Sequence, residues 1–457
     1  HKEYRRQRQM CIRDRHYPMQ PTTDSHAYRA SLLYFPDPNS DHIHFEADGL
    51  LVTTCGADGI SRISALGDYR SLQKTHSHLP VTDWRGCWIA PGFVDTHIHY
   101  AQTDVIASPA DGLLPWLINY TFPQESRFAD PAHAAAVAAF FFDELMRNGV
   151  TTALTFATAH SASVDAFFAE AQRRQLRMIG GRVLQDRHSP DGLRDVSAAQ
   201  SLYETESLMT RWHGVARLGY AITPRFAPTS SEEQLRGAGE LAAAHPDVWV
   251  QTHVAENEDE IAWVAELFPQ ARSYLGVYED MGLLRQRSVY AHCLHLDAHD
   301  RDLMAERGAA ASVCPTSNLF LDSGFFDFSL AQSHGLLHAL ASDVGGGTSF
   351  NPFHTMHAAY TVARQSAGRA GLSLSAQHLW WLHTAGAAKA LGLANVVGNL
   401  SVGAEADFIV LNPNATPLLS RRTQAANDLQ EQLFAMVVLG DDRLVQKVVI
   451  NGEVIEN

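Results

Sequence analysis

The chain reads Cys87-Trp88-Ile89-Ala90-Pro91-Gly92-Phe93-Val94-Asp95-Thr96-His97-Ile98-His99, an apolar run that ends in two histidines. Successive side chains of an extended strand point to opposite faces, so His97 and His99 lie on the same face. Two neighbouring imidazoles can bind one metal ion. The stretch therefore predicts the first half of a metal site, whose remaining ligands must come from other parts of the chain.

Three further short apolar runs each lead into a side chain that can bind a metal. Residues 247–252 precede His253, residues 288–291 precede His292, and residues 336–342 precede Asp343. In a closed barrel of parallel strands, the carboxyl ends of all strands meet on one face, where catalytic residues collect. Imidazoles with one carboxylate suit a divalent ion such as zinc, with one position left open for water.

Strand and helix signals alternate through the middle of the chain. Asp130-Pro131 predicts the start of a helix that ends at Gly149, because aspartate caps a helix and proline suits its first turn. Eight strands are predicted, namely the one before His97 and those at residues 150–158, 177–183, 216–223, 248–253, 289–292, 309–313 and 337–342. Eight strands that alternate with helices predict an α/β fold, a (β/α)8 TIM-like barrel with right-handed crossovers.

Both ends of the chain are rich in short strand signals. They lie at residues 31–35, 49–53 and 59–63, and again at 406–411, 445–450 and 453–455. Asn451-Gly452 is a favourable two-residue hairpin turn between the last two. We therefore expect a small β-sandwich domain that is built from both termini. The predicted division is a leader at 1–27 outside the fold, with Met19 as a candidate start, the β domain at 28–88 and 399–457, and the barrel at 89–398.

The composition describes a folded, acidic protein. Apolar residues make up 46% of its 457 residues, and 35 Lys and Arg stand against 50 Asp and Glu. The resulting charge of −15 argues against nucleic acid as a partner. No apolar run reaches the ~20 residues that cross a bilayer, and residues 1–15 lack the core of a secretory signal. The five scattered cysteines contain no Cys-x-x-Cys pair, so they predict a reducing cytoplasm rather than disulfides or a thiolate zinc site.

From about residue 28 onward, the sequence resembles the guanine deaminases of the amidohydrolase superfamily. Five blocks carry the resemblance, at residues 91–102, 121–125, 221–230, 252–257 and 314–319. The first block marks the superfamily. Gln102 and the block Thr223-Pro224-Arg225-Phe226-Ala227-Pro228 narrow the resemblance to guanine deaminases.

The resemblance implies a hydrolase that acts on a cyclic amidine C–N bond, with one Zn²⁺ per subunit. His97, His99, His253 and Asp343 would hold the ion, and His292 would lie beside the water that it binds. Residues 218–224 contain no lysine that could be carbamylated to bridge two ions, which supports a single metal. The resemblance also implies a homodimer.

The implied reaction converts guanine into xanthine and ammonia, a step of purine catabolism. Asp343 and His292 would orient the attacking water, and Asp343 would take its proton. Glu256 lies three residues after His253, at the same barrel mouth, where a carboxyl group can act as a general acid.

Recognition of guanine requires polar groups that distinguish it from adenine. Arg225 offers only donors, which suits the O6 carbonyl, whereas Gln102 can both donate and accept at the N3 and 2-amino edge. Phe226 is expected to pack on the purine plane. Adenine carries an amine where Arg225 requires an oxygen, so we expect it to be a poor substrate.

Two other functions are compatible with parts of the pattern. One is a different amidohydrolase that deaminates another aminopurine, a pterin or a triazine. The other is a non-catalytic barrel that binds metal or serves as a scaffold, which is disfavoured because every expected ligand is present.

Some neighbouring residues are predicted to have structural roles only: Asp95 and Asp104 in the local fold, Trp116, Trp380 and Trp381 in packing, and Glu258, Asp259 and Glu260 in the acidic first turn of a helix.

Overall fold

The computed structural model describes residues 25–366 and 372–455, and its strands form two sheets. Residues 1–24 of the predicted leader lie outside the described residues, and β1 begins at Ser25, ahead of the predicted start. The strands are β1 Ser25–Tyr34, β2 His44–Cys55, β3 Ser61–Asp68, β4 Val81–Pro91, β5 Phe93–His99, β6 Val150–Phe156, β7 Arg177–Gly181, β8 Val183–Leu184, β9 Gly219–Pro224, β10 Trp249–Val254, β11 Ser288–His292, β12 Ala310–Val313, β13 Leu337–Leu340, β14 Phe408–Leu411, β15 Val445–Ile450 and β16 Glu453–Ile455.

Helices connect the barrel strands and cover the ring that they form. The α-helices span Tyr69–Leu72, Leu113–Trp116, Phe122–Ser126, Pro131–Arg147, Ser161–Arg173, Ala198–Trp212, Glu232–Ala244, Glu258–Leu267, Tyr274–Asp280, Ala298–Arg307, Pro315–Phe320, Phe328–Ser333, Pro352–Ser366, Ala376–Leu382, Ala385–Ala390, Pro417–Gln424 and Leu429–Leu439. The predicted helix after Asp130 begins at Pro131, and the Asp130 side chain accepts a hydrogen bond of 2.9 Å from the Ala132 N–H. Capping and the first-turn proline therefore act as the sequence predicted.

Eight parallel strands form the predicted barrel in the order β5-β6-β7-β9-β10-β11-β12-β13, and β8 pairs with the carboxyl end of β9. The first and last strands approach each other through the segment that follows β13. There the Asp343 N–H donates to the His97 carbonyl over 3.0 Å, and the His99 N–H donates to the Val344 carbonyl over 2.8 Å. These bonds nearly close the ring, which confirms the predicted α/β barrel.

The barrel interior is a packed core with the polar site above it. Each of the eight strands contributes one side chain to a shared layer, which consists of Val94, Leu154, Ile179, Ala221, Trp249, Val289, Ala310 and Ala339. Because strand side chains alternate, the inward positions of β10 pass from Trp249 through Gln251 to His253. The apolar layer therefore occupies the lower interior, and the metal-binding side chains emerge at the carboxyl ends of the strands.

The predicted β domain from both termini is confirmed, in the form of one mixed sheet with the order β16-β15-β14-β4-β1-β2-β3. The sheet curls around its own core, because Ile63 of β3 and Val449 of β15 lie in one cluster with Phe408. Asn451 and Gly452 have φ values of 51° and 80°, as expected for the predicted hairpin turn. The helices Pro417–Gln424 and Leu429–Leu439 were not predicted, since the tail was expected to be rich in short strands.

Two further observations concern membranes and thiols. None of the helices in residues 25–366 and 372–455 combines the length and the hydrophobicity that crossing a bilayer requires. The cysteines of these residues carry free thiols, with Cys293 and Cys314 buried and Cys55 and Cys87 partly exposed, while Cys11 lies outside the described residues.

A buried ion network joins the barrel to the terminal sheet. Arg217, directly before β9, has a side chain that is only 3% exposed. Its Nη1 lies 2.9 Å from Glu405 Oε2 and 2.7 Å from Asp407 Oδ2, next to β14. Its Nε donates to the Gln175 carbonyl over 2.9 Å. Arg217 therefore pairs with two carboxylates that water does not reach, one of which, Glu405, also pairs with Arg177.

We expect Arg217→Ala to lower the free energy of unfolding by about 3–5 kcal/mol, because it leaves buried carboxylates without their shared cation. Denaturant titration measures the loss. The matched control is Arg236→Ala, since Arg236 is 52% exposed and pairs with Glu232 on a helix surface. That loss should stay below about 1 kcal/mol. Equal losses in the two variants would show that the network does not stabilise the domain junction.

Candidate metal centre and active site

The four predicted ligands meet at the mouth of the barrel. His97 Nε2 lies 3.2 Å from His99 Nε2, and His99 Nε2 lies 3.3 Å from His253 Nε2. Asp343 Oδ1 lies 3.2 Å from His97 Nε2 and 3.4 Å from His99 Nε2. All four residues are buried, although they come from three different parts of the chain.

These four separations are close to those between neighbouring ligands of one ion. At zinc–ligand bonds of about 2.0–2.1 Å, neighbouring ligand atoms of a tetrahedral site lie about 3.3 Å apart. His253 Nδ1 lies 2.6 Å from the Arg225 carbonyl oxygen and donates its proton there, so its Nε2 turns a lone pair toward His99. Burial, followed by the neighbouring histidines, lowers the pKa of His99 and of His253 well below the usual range. Neutral imidazoles with free lone pairs are suited to metal binding.

Asp343 enters this cluster as an ionised carboxylate. Burial raises its pKa, but hydrogen bonding and charge attraction by His97 outweigh burial and lower the pKa to about 2. The backbone at Asp343 is left-handed, with φ of 51°. A non-glycine residue adopts this conformation at a cost, and such positions are frequent at functional sites. The predicted structural role of Asp95 fits its contacts, since its Oδ1 accepts from the Ser342 and His97 N–H groups over 3.2 Å each.

Glu256 and His292 lie on the cavity side of the same cluster. Glu256 Oε2 is 3.3 Å from His292 Nε2, and His292 Nε2 is 3.9 Å from Asp343 Oδ2. His292 Nδ1 lies 2.8 Å from Asn318 Oδ1, to which it donates. Burial, together with the charge of Asp343, raises the pKa of Glu256 well above the usual range. A raised pKa suits Glu256 to give a proton to a bound molecule.

A cavity opens above these residues. Gln102, Arg225 and Phe226, which the sequence predicted to bind substrate, all line it. One wall is apolar and consists of Leu113, Trp116, Leu117 and Leu321. The arrangement can hold a flat ring between apolar surfaces while donors and acceptors contact its edge.

Two residues that the sequence assigned to purely structural roles also line this cavity. Trp116 was predicted to pack in the core, whereas it forms part of the apolar wall; its position between two motif blocks was the available signal. Glu260 was assigned to an acidic helix turn. It is in that turn, but it is buried and accepts hydrogen bonds from the Glu256 N–H over 3.0 Å and the Tyr274 hydroxyl over 2.6 Å. Burial, followed by the charge of Glu256, raises its pKa to about 7.

Glu125 is a further site residue to which the sequence assigned no role. It belongs to the block at residues 121–125 and is fully buried. Its Oε1 accepts from Gln102 Nε2 over 2.9 Å, and its Oε2 accepts from Arg225 Nη1 over 2.7 Å. The two predicted substrate-binding side chains are therefore joined through one carboxylate. The presence of Glu125 in a motif block could have indicated a role at the site, but only the fold shows that its partners are Gln102 and Arg225.

Known proteins are similar to this chain in sequence and structure over nearly its whole length. Guanine deaminase of Escherichia coli (strain K12) is 42% identical over 421 residues, which are 92% of this chain and 94% of that protein. The solved structure of E. coli guanine deaminase has a TM-score of 0.90 at 41% identity, with 94% of this chain and 99% of that chain covered. Guanine deaminase from C. acetobutylicum, solved with bound guanine in the active site, has a TM-score of 0.86 at 28% identity, with 94% and 100% covered.

The family comparison covers the barrel and the C-terminal part of the terminal sheet. The characteristic pattern of the amidohydrolase family matches residues 88–455, which include the barrel, the four clustered ligands and the C-terminal strands. This match extends over well more than half of the chain, and the E. coli relative exceeds 30% identity over most of its length. The chain belongs to the amidohydrolase family.

Proposed function

We propose that this chain is a guanine deaminase, which hydrolyses guanine to xanthine and ammonia. The observation that carries the proposal is the convergence of a four-residue ligand cluster, the buried acid Glu256 and the Gln102–Arg225 pair on one cavity. The cluster suits hydrolysis, and the cavity edge suits a purine. The guanine deaminases to which the chain is similar share this fold over nearly its whole length.

We propose one Zn²⁺ per chain, held by His97, His99, His253 and Asp343. Four separations between their donor atoms lie between 3.2 and 3.4 Å, which supports one shared ion. The strand before Arg225 also lacks a lysine for a bridging carbamate. Bound zinc supplies a water whose pKa falls toward ~7, so that a nucleophile is available at neutral pH.

The side chains then divide the proton transfers between them. Asp343 accepts the proton of the water that attacks C2 of guanine, and His292 orients that water from the other side. Glu256 protonates the ring nitrogen N3, and Asp343 passes the proton from water to the departing 2-amino group. As the C2–N bond breaks, the new C2 hydroxyl gives its proton to Glu256 and becomes the carbonyl. Water and guanine are consumed, and xanthine and ammonia are released. The pKa of Asp343 is lowered and that of Glu256 is raised, so one carboxyl is a base and the other an acid.

Recognition follows from the donors and acceptors at the cavity edge. The Arg225 guanidinium keeps N–H groups beyond the one that Glu125 uses, and these donate to O6 of guanine. Gln102 contacts the N3 and 2-amino edge, and Phe226 packs on the ring. Adenine would place an amine against Arg225 and leave buried donors unpaired. We also propose a cytoplasmic homodimer, on the family resemblance and the scattered thiols alone.

Glu256→Gln should lower kcat for guanine by about 10²–10⁴-fold, because glutamine cannot transfer a proton. The loss of guanine and gain of xanthine are followed optically. The control is Glu258→Gln, an exposed acid two residues away in the following helix turn, which should keep wild-type kcat. An active Glu256→Gln enzyme that retains its metal would remove Glu256 from the reaction.

Removal of the metal should abolish deamination, and one equivalent of zinc per chain should restore it. Metal analysis after dialysis against a chelator measures the stoichiometry. The melting temperature should also rise on adding zinc to the metal-free protein, because the ion binds only the folded ligand cluster. Asp343→Asn should weaken both effects. A requirement for two equivalents would contradict the single-ion site.

The wild-type enzyme should prefer guanine to adenine by about 10³-fold or more in kcat/KM, because adenine leaves buried polar groups of the site unpaired. The measurement is ammonia release from guanine, adenine, a pterin and the triazine ammeline under the same conditions. If the pterin or ammeline is turned over faster than guanine, the substrate assignment is wrong, whereas the proposed metal site is unaffected.

A further inference from the structure

The block at residues 121–125 carries a buried acid that the reaction itself does not use. Glu125 lies behind Gln102 and Arg225 rather than on the cavity wall, and its side chain is 1% exposed. Both carboxylate oxygens are occupied, one by each of these side chains. Glu125 therefore contributes, through these two side chains, to how the cavity recognises its ligand.

The short helix Phe122–Ser126 holds the Arg225 guanidinium from two sides. Glu125 contacts it through Oε2, and the ring of Phe122 lies 5.1 Å from its Cζ, within reach of a cation–π contact. Positions three apart on a helix share a face, so Phe122 and Glu125 can contact the same group. The guanidinium plane is fixed before any ligand enters.

Glu125 also sets the orientation of the Gln102 amide. Gln102 Nε2 donates to Glu125 over 2.9 Å, and Gln102 Oε1 accepts from the Gly345 N–H over 3.3 Å. A flipped amide would place its oxygen against a carboxylate and its NH2 against an N–H donor, which loses both bonds. The second N–H of Gln102 is consequently left for the ligand.

The ion pair of Arg225 and Glu125 also determines the charge at this edge of the cavity. Arg225 is 3% exposed, so water screens its charge poorly, and Glu125 cancels that charge over 2.7 Å. Without Glu125 the edge would present a buried cation that attracts anions. This matters for the product, because deamination replaces an amine by a second carbonyl, and ring N–H groups next to carbonyls lose protons more readily.

We propose that Glu125 is a positioning residue that aligns Arg225 and Gln102 and neutralises this edge, so that the cavity selects uncharged purines over purine anions and releases its product. This inference rests on the proposed function for the identity of substrate and product. It assigns to Glu125 a role in specificity and in the avoidance of product inhibition, and no contact with the reacting atoms.

Two variants separate charge from geometry. Glu125→Gln removes the charge and places an NH2 group against an N–H of either Gln102 or Arg225, so one of the two hydrogen bonds is lost. KM for guanine should therefore rise about tenfold or more, with a smaller change in kcat. Inhibition by xanthine should strengthen about tenfold at a pH where xanthine is an anion, because Arg225 then lacks its counter-charge. Glu125→Asp keeps the charge but is too short for both partners, so KM should rise while xanthine inhibition stays at the wild-type level.

The matched control is Glu170→Gln, which removes an acid from an arginine pair on the helix Ser161–Arg173, away from the cavity. It should change neither KM nor xanthine inhibition. The assays are run on zinc-loaded protein, on both sides of the pH at which xanthine loses its first proton. Unchanged xanthine inhibition in Glu125→Gln would overturn the charge role, and an unchanged KM for guanine would overturn the positioning role.

Binding measurements keep this inference separate from the proposed function. If the wild-type protein does not deaminate guanine, the proposed function fails. Calorimetry with guanine and with the xanthine anion still compares wild type and Glu125→Gln. A shift of relative affinity toward the anion in the variant supports the role of Glu125, and the same ratio in both proteins refutes it.

Discussion

The site depends on the approach of the first and last strands of the barrel. Two backbone hydrogen bonds, from the Asp343 N–H to the His97 carbonyl and from the His99 N–H to the Val344 carbonyl, place the segment after β13 beside β5. Asp95 supports this junction by accepting from the Ser342 N–H. Asp343 directly follows Ser342 in the chain. Its carboxylate therefore lies next to the imidazoles of His97 and His99, which are more than 200 positions earlier. Each other feature of the site is arranged around this junction.

Arg225 links the ligand cluster to the recognition edge. Its carbonyl oxygen accepts from His253 Nδ1 and so orients that imidazole, while its guanidinium faces the cavity and Glu125. A carbonyl partner on the second ring nitrogen fixes the tautomer of a metal-binding histidine. A change of the Arg225 side chain leaves this carbonyl in place, so recognition can vary within the family without loss of the ligand geometry.

Neighbouring acids of the site have pKa shifts in opposite directions. The pKa of Asp343 is lowered because His97 hydrogen-bonds to it and attracts its charge, whereas burial and the charge of Asp343 raise the pKa of Glu256. The same low-dielectric surroundings keep His99 and His253 neutral. One pocket can therefore hold a base, an acid and neutral ligands at a single pH. Small changes in solvent access would alter the pKa values of all these groups together.

The sequence alone determined the barrel, the terminal β domain and the ligand candidates. These follow from local patterns: His97 and His99 share a strand face, and His253, His292 and Asp343 each end an apolar run at the mouth that parallel strands share. The tertiary structure decided the curl of the terminal sheet, the two helices in the tail, the place of Trp116 in the cavity wall and the partners of Glu125. Glu125 and Arg225 are 100 positions apart. No local periodicity specifies such a pairing, because it arises only when the strands close into a ring and bring distant loops over the same cavity.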